Sequence, residues 1–222
     1  MSSSPQTQLD HAHAADLEAS LDFVNTLELC STRGHPEYGG THDALPDPKA
    51  AIDFFVDRGL AHRDELERAA RQLDGGQQVW LERIRRLRTA LREVWEAETD
   101  RRSADEQAIE IVNDALRHPP AVELTVRADG LGVGHRHLGD PTDEALARIV
   151  EPLVETIASG DTARFRICAN DECRYVFYDD SRTARRRWCD MATCGNRAKV
   201  ARHRAKLRTT PAADSPIAFV DD

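Results

Sequence analysis

Four of the five cysteines in this 222-residue chain fall within one segment, Cys168–Arg197, which reads CANDECRYVFYDDSRTARRRWCDMATCGNR. They form two pairs, each with four intervening residues, and fifteen residues separate the pairs. Two thiolate pairs at this hairpin-length separation are typical of one tetrahedral Zn²⁺ site. The spacing therefore predicts zinc as a cofactor, with four protein ligands: Cys168, Cys173, Cys189 and Cys194.

Two other interpretations of these cysteines stay open, namely four unrelated buried thiols and a redox switch. The first residues, 1–6, carry neither the charged flank nor the apolar run of a signal peptide, so we expect a cytoplasmic protein. In that reducing compartment a cysteine cluster binds metal more often than it forms disulfides. A bound metal would also explain how about 40 residues with few apolar groups can fold.

The residues around the cysteines predict a small finger over residues 164–208. Arg174–Tyr178 is β-prone, 179–181 resembles a turn, and Arg186–Trp188 suits a return strand. The segment after Cys194 is a strong helix former. A knuckle, a hairpin and a helix whose first turn supplies the last ligand describe a treble-clef-like zinc finger that ends in a basic helix.

Charge is distributed very unevenly along the chain. Residues 182–208 contain ten basic residues and one acidic residue, a charge of +9, so the remainder carries −18 because the whole chain carries −9. No acidic residue lies between Asp190 and Asp214. A basic helix without internal ion pairs is typical of phosphate binding, which predicts duplex DNA as the partner. The predicted contacts are Arg185, Arg186, Arg187, Arg197, Lys199, Arg202, Arg204, Lys206 and Arg208.

Three other uses of this basic surface stay open. The helix could dock on the acidic body of the same chain or on an acidic protein partner. In each case Val200 and Leu207, which lie between its two basic faces, can pack on the hairpin. The finger could also bind RNA without reading DNA sequence, which would favour exposed aromatic side chains for stacking. The aromatic residues available for that purpose are Tyr175, Tyr178 and Trp188.

Residues 15–160 predict a mainly helical domain with one β-hairpin, and therefore an α+β fold. Apolar residues recur at helical spacing in most of this range, whereas Val122, Leu124 and Val126 alternate with polar residues and predict the hairpin over 121–138. The expected helices cover about 16–29, 47–59, 64–73, 77–99, 104–117 and 140–159. Residues 1–14 and 209–222 are expected to be disordered tails.

The finger resembles the CGNR zinc-finger proteins of bacteria, named for the string Cys194-Gly195-Asn196-Arg197. The matching surroundings are Arg186-Arg187-Trp188-Cys189, Met191 and Phe177-x-Asp179-x-Ser181. The upstream part resembles the usual companion of that finger, the ABATE domain. Its matching residues are Leu21-Asp22-Phe23-Val24-Asn25-Thr26-Leu27, Asp43-x-Leu45 and Gly59-Leu60. Together the two resemblances cover most of the chain.

The resemblance implies a transcriptional regulator with the finger as its DNA-binding part, and it implies the same four zinc ligands. It also implies that the N-terminal domain senses a small molecule or mediates association. Asn25 and Thr26 are polar residues in an apolar helix, so they either tie down the loop that follows or line a ligand pocket with Arg33 and His35. The 77–99 helix could serve a homodimer as well as a core.

Enzyme and membrane functions are not expected. The chain contains no nucleotide-binding glycine loop, no serine-hydrolase motif and no His-Glu-x-x-His sequence. His203 is the only histidine in the finger, which does not suit a treble-clef nuclease. No apolar run approaches the roughly 18 residues that a membrane helix needs.

Overall fold

The computed structural model describes residues 17–28, 42–117, 120–127, 130–137 and 139–209. Its helices are α1 (17–25), α2 (Pro48–Asp57), α3 (Arg63–Gln72), α4 (Gly76–Asp100), α5 (Glu106–Ala115), α6 (Pro141–Ser159) and α7 (Asn196–Thr209). The strands form three antiparallel pairs: β1 (Leu27–Glu28) with β2 (His42–Asp43), β3 (Pro120–Arg127) with β4 (Gly130–His137), and β5 (Phe165–Ile167) with β6 (Val176–Tyr178). The predicted α+β class, mainly helical with small strand pairs, is confirmed.

Helix α4 forms the centre of the hydrophobic core. Its buried residues include Trp80, Ile84, Leu87, Leu91 and Trp95, which recur every three or four positions. This spacing places them along one stripe of the helix, which packs against α2, α3 and α5. The apolar face of this helix therefore serves the core and is not available to a dimer.

Side-chain caps fix where several helices begin. The carboxylates of Asp47, Asp105 and Asp140 each accept hydrogen bonds from backbone amides in the first turn of α2, α5 and α6. Such caps satisfy amide groups that the helix itself leaves unpaired. The predicted starts at Asp47-Pro48 and Asp140-Pro141 are confirmed.

Helix α1 ends earlier than the predicted residue 29. The chain turns at Thr26, whose backbone amide donates to the carbonyl of Phe23 at 3.2 Å, and continues as β1. Leu27 then pairs with Asp43 of β2. The helical spacing of Leu27 was misleading because a tertiary strand pairing replaces the last helical turn.

The predicted hairpin between α5 and α6 is confirmed as β3 and β4. Its register runs from Pro120 opposite His137 to Arg127 opposite Gly130, so residues 128 and 129 connect the strands. No strand other than β4 pairs with β3 among the described residues. The expected tails, 1–14 and 209–222, lie outside the described residues apart from Thr209, the last residue of α7.

The predicted return strand at Arg186–Trp188 is wrong. Strand β6 pairs instead with β5, which precedes Cys168, in the register Phe165 opposite Tyr178 and Ile167 opposite Val176. Phe165 is fully buried and stacks on Trp95 of α4, with the ring centroids 3.8 Å apart. Burial of this aromatic ring favours β5 as the partner over an arginine-rich segment.

The finger and the helical body share one hydrophobic core. Phe165 and Val176 belong to the same buried cluster as the residues of α4, and Ile167 and Tyr178 pack against that cluster. No helix among the described residues has the length and apolar character that crossing a membrane requires.

Candidate metal centre and basic helix

The four predicted ligands come together in one cluster. Cys168 directly follows β5, and Cys173 lies three residues before β6. Cys194 lies in a short π-helical turn, Met191–Gly195, which leads into α7. All four side chains are buried, and their sulfur atoms lie within 4.8 Å of one another. The chain thus brings two distant pairs to a single point.

The spacing of these sulfur atoms fits zinc. Four Zn–S bonds of about 2.3 Å in a tetrahedron require sulfur–sulfur distances of about 3.8 Å. The Sγ atoms of Cys173 and Cys189 are 3.7 Å apart, and those of Cys189 and Cys194 are 3.8 Å apart. Four thiolates would hold one Zn²⁺ here, and the ion would supply cross-links between the two cysteine pairs.

The thiols are arranged to bind a cation and are poor nucleophiles without one. Burial raises the pKa of Cys168 to about 11. Contact with Cys189, together with burial, raises the pKa of Cys173. The backbone amides of Asn170 and Tyr175, each two residues after a ligand, act in the opposite direction by donating to sulfur. Zinc binding must therefore displace protons from these thiols.

Nearby groups enclose the metal centre. Phe177, Tyr175 and Trp188 pack around the four cysteines. The side-chain amide of Asn170 lies 3.7 Å from the Sγ atom of Cys194 and donates to it. Such outer contacts orient the ligands and keep water from the metal.

Asp179 organises the segment between the two cysteine pairs. Its carboxylate is fully buried and accepts hydrogen bonds from the amide and hydroxyl of Ser181 and from the amide of Arg186. Burial opposes ionisation of this group, but those hydrogen bonds outweigh it and lower its pKa. The Phe177-x-Asp179-x-Ser181 motif therefore has a structural role, which is to fix the basic segment 182–187.

The three consecutive arginines in that segment do not have equal roles. Arg185 and Arg187 are exposed. Arg186 is half-buried, and its guanidinium donates to the carbonyl of Cys189 at 2.9 Å and to Asp180 at 3.1 Å. It also lies over the ring of Phe177. We therefore assign Arg186 to holding the finger together, and its side chain is less available to a partner than its two neighbours.

Helix α7 leaves the metal centre with its side chains exposed. Arg197, Lys199, Arg202 and Arg204 are all exposed, as is His203. Val200 is 48% exposed, so the prediction that it packs on the hairpin is wrong. The side chains of Leu207, Lys206 and Arg208 lie outside the described residues. The described side chains of α7, up to residue 205, are mostly basic and exposed, which suits contact with a partner.

Asn25 and Thr26 are buried and committed to structural contacts. The Asn25 amide pairs with the backbone of Val176, donating through Nδ2 at 2.9 Å and accepting through Oδ1 at 3.0 Å. Thr26 donates to the carbonyl of Phe23 at 2.7 Å and accepts from Arg88 at 3.2 Å. These hydrogen bonds of Asn25 therefore reach the finger, whereas the loop over residues 29–41 lies outside the described residues. Arg33 lies outside the described residues.

A polar seam on α4, missed by sequence reasoning, joins the body to the finger. Arg92 donates to the carbonyl of Arg174, and the indole of Trp95 donates to the carbonyl of Arg166 at 3.1 Å. On the same helix, Arg88 is only 3% exposed and forms a bidentate pair within the body, with Asp43 of β2 at 2.5 and 2.8 Å. The available signal was that Arg88 occupies the same helical face as the apolar residues of α4.

These features define a zinc-finger protein whose metal centre is built on a helical body. Residues 164–207 match the CGNR zinc finger. Residues 17–160 match ABATE, a family described as "Putative stress-induced transcription regulator". That match spans more than half of the chain, so the chain belongs to the ABATE family. A comparison with curated proteins found no match.

Proposed function

We propose that this protein binds duplex DNA through α7 and the exposed arginines of the 182–187 segment, and that it regulates transcription. The observation that carries the proposal is the exposure of Arg197, Lys199, Arg202 and Arg204 on a helix that starts at the zinc centre. Arginine and lysine on such a helix neutralise phosphates and release counterions. The family to which the chain belongs supports a regulatory role.

The surroundings of the aromatic residues favour DNA over single-stranded RNA. Tyr175 and Trp188 pack against the cysteine cluster, and the hydroxyl of Tyr178 donates to Asp161. Stacking on unpaired bases needs exposed aromatic faces, which these half-buried side chains supply poorly. An RNA-binding or protein-binding module is therefore the second choice.

In this proposal the zinc is structural and the protein is not an enzyme. Four cysteine thiolates occupy all four positions of a tetrahedral ion, which leaves none for a substrate or an activated water. The metal would supply the rigid junction between the β5–β6 hairpin and α7. The chain's own residues then orient the basic helix relative to the body, through Asn25 and the seam on α4.

The test compares two double variants of the zinc-loaded full chain. The first is Arg202→Ala with Arg204→Ala, which removes two exposed cations and keeps good helix formers. The second, a control with the same change in charge, is Arg68→Ala with Arg86→Ala on the body, where both side chains are exposed. Binding to labelled random-sequence duplex DNA is measured by anisotropy over a series of salt concentrations.

We expect the α7 variant to weaken binding about tenfold or more, and to reduce the slope of log affinity against log salt by about 2. The body variant should behave like the wild type. Equal losses in both variants, or no binding by the wild type, would contradict the proposal. Selection from random DNA and RNA pools then separates the alternatives, because an enriched DNA motif that survives higher salt indicates sequence reading, and preferential RNA capture favours the second choice.

Sensing of a small molecule stays a prediction. Because Asn25 and Thr26 make structural contacts, we expect the effector site elsewhere on the body. An open groove of about 620 Å³ runs between α4 and α5, with Ala90, Ala108 and Ile111 among its lining residues. Its rim also includes Thr89, which is exposed. We propose that an effector binds there. A metabolite that raises the melting temperature of the wild type should not do so for Thr89→Trp, and an unchanged response would exclude this groove.

A further inference from the structure

The turn that leads from the metal centre into α7 carries an exposed apolar side chain. Met191, the first residue of that π-helical turn, is 65% exposed. Among the large apolar side chains in the described part of the finger it is the most exposed, ahead of Val200 at 48%. A single exposed apolar residue is ordinary on a protein surface, so what distinguishes Met191 is how its side chain is held.

Met191 lies against Gly195, the glycine of the Cys-Gly-Asn-Arg string. A β-carbon at position 195 would come within 2.8 Å of the sulfur of Met191, 2.9 Å of its terminal methyl group and 3.4 Å of Cδ1 of Trp188. The backbone of Gly195 is not left-handed, so this position needs a glycine for space and not for backbone freedom. The missing side chain therefore makes room for the end of Met191, beside the edge of the indole.

The same contacts connect Met191 to the basic segment 182–187. The guanidinium of Arg187 lies over the ring of Trp188, 5.4 Å from its centre. The Cδ1 atom of that indole and the sulfur of Met191 both border the space that a side chain at Gly195 would fill. Met191 therefore lies where the basic segment meets the start of α7, between the two groups of exposed cations.

The one acidic residue of the 182–208 segment precedes Met191 and serves the turn. The carboxylate of Asp190 accepts hydrogen bonds from the amide of Thr193 at 2.7 Å and from its hydroxyl at 2.9 Å. It is the cap of the π-helical turn, and the amide dipoles at that end offset its charge. This carboxylate is therefore committed to the turn and does not change the basic character of the surface.

A basic surface with one fixed apolar side chain matches the major groove of DNA. That groove admits an α-helix, and its base edges present hydrogen-bonding groups and one apolar group, the C5-methyl of thymine. Residues at the N-terminal end of a recognition helix commonly reach the base edges. We propose that Met191 contacts the C5-methyl group of a thymine and gives the protein a sequence preference at that position. This inference rests on the proposed DNA binding and adds to it a residue that reads a base.

The role of Met191 differs measurably from that of the arginines and lysines. Its side chain carries no charge, so it releases no counterions and does not contribute to the salt dependence of binding. Burial of one thymine methyl group should instead increase affinity about fourfold. The base preference and the salt dependence of binding can therefore be measured separately.

The experiment begins by selecting duplexes from a random DNA pool with the zinc-loaded full chain. The enriched duplex is then synthesised with uracil in place of thymine at one position at a time, which removes a single methyl group. Anisotropy measures the affinity of the wild type, Met191→Ala and Met191→Leu for each duplex. The control is Ile109→Ala, which removes an apolar side chain that is 40% exposed on α5. Zinc content and melting temperature verify that each variant is folded.

We expect the wild type and Ile109→Ala to lose about fourfold in affinity at one thymine position when its methyl group is removed. Met191→Leu should keep most of this preference, because leucine is apolar and of similar size. Met191→Ala should bind the thymine and uracil forms equally well, with an unchanged slope of log affinity against log salt.

Two results would overturn this inference while DNA binding itself stands. They are a Met191→Ala protein that keeps the full thymine preference, and a wild type that binds DNA but enriches no sequence or tolerates uracil at every position. Absence of DNA binding by the wild type would instead contradict the proposed function, and this inference with it.

Gly195→Ala provides a second test, because it displaces Met191 without removing it. The end of a methionine side chain is flexible, so we expect this variant to fold and to retain zinc. Its thymine preference should fall, and the same change made together with Met191→Ala should have no further effect. Independent losses from the two changes would overturn the assignment of Gly195 as the residue that positions Met191.

Discussion

The side-chain amide of Asn25 pairs with the backbone of Val176 through two hydrogen bonds, of 2.9 and 3.0 Å, across 151 positions of sequence. Asn25 is the last residue of α1, and Val176 begins β6 between the second and third zinc ligands. The amide therefore acts as an extra partner for the edge of the β5–β6 hairpin. Through this contact the finger depends on the body for its fold.

Replacement of Asn25 should destabilise the whole chain. Asn25→Ala leaves the amide and carbonyl of Val176 buried without partners, so we expect a loss of about 2–4 kcal/mol in the free energy of unfolding. Urea titration of the zinc-loaded protein measures this loss. Asn113→Ala, which removes an exposed amide on α5, is the matched control and should change stability by less than about 0.5 kcal/mol. Similar unfolding midpoints for the two variants would refute the structural role of Asn25.

Loss of one zinc ligand should affect more than the finger. Cys194→Ser removes one of the four thiols, so we expect the zinc content to fall well below one per chain. Because Phe165 and Val176 lie in the shared core, the melting transition of the body should also move to lower temperature. Metal analysis and near-ultraviolet circular dichroism of the tryptophans report the two effects.

Cys30→Ser provides the comparison for this ligand variant, since Cys30 lies far from the cluster in sequence. It should retain zinc. A Cys194→Ser protein with full zinc content would refute the assignment of this ligand. A body transition that stays at the wild-type temperature after complete zinc loss would refute the coupling through the shared core.

The pair between Asp43 and Arg88 should make stability depend on pH in the acid range. Burial opposes ionisation of Asp43, but hydrogen bonds from Arg88 and the amide of Leu45 outweigh it and lower its pKa. A carboxyl whose pKa is lower in the folded state contributes stability above its unfolded pKa of about 3.9, and that contribution is lost as pH falls through the folded value. Unfolding by urea at a series of pH values from 7 to 3 tests this.

Asp43→Asn should flatten that part of the pH profile. At neutral pH it should lower stability by about 3 kcal/mol, because Arg88 is left buried without its counter-charge. Asp53→Asn is the control, since Asp53 also pairs with two cations but at the surface. Its effect should be much smaller than that of Asp43→Asn, since solvent screens ion pairs at the surface. A larger effect at Asp53 than at Asp43 would contradict this account.

Substitutions of the neighbours Arg186 and Arg187 should have different effects, the first on stability and the second on DNA binding. Arg186→Ala removes a guanidinium that donates to the carbonyl of Cys189, so we expect a loss of about 1–2 kcal/mol in stability. Arg187→Ala should leave stability nearly unchanged and weaken DNA binding, since its side chain is exposed. Unfolding curves and anisotropy titrations on the same preparations distinguish the two roles. The reverse pattern would show that the assignment is wrong.

Local patterns predicted much of the fold because their signals lie within a few residues. Asp47 and Asp140 precede prolines at helix starts, and the alternation of Val122, Leu124 and Val126 marks a strand. Contacts between distant segments gave no such signal. Both residues 165–167 and residues 186–188 could be predicted as the partner strand of β6. Only the burial of Phe165 against Trp95 favours residues 165–167.

The sequence by itself determined the metal centre and the charge of its helix, because cysteine spacing and net charge are properties of a short stretch of chain. Only the tertiary structure decided how these parts are used. It turned Asn25 and Thr26 from ligand candidates into structural contacts, gave Arg186 a role in the finger, and left Arg202 exposed. The physical reason is that hydrogen bonding and burial depend on which distant groups meet in the core, and sequence separation does not specify those meetings.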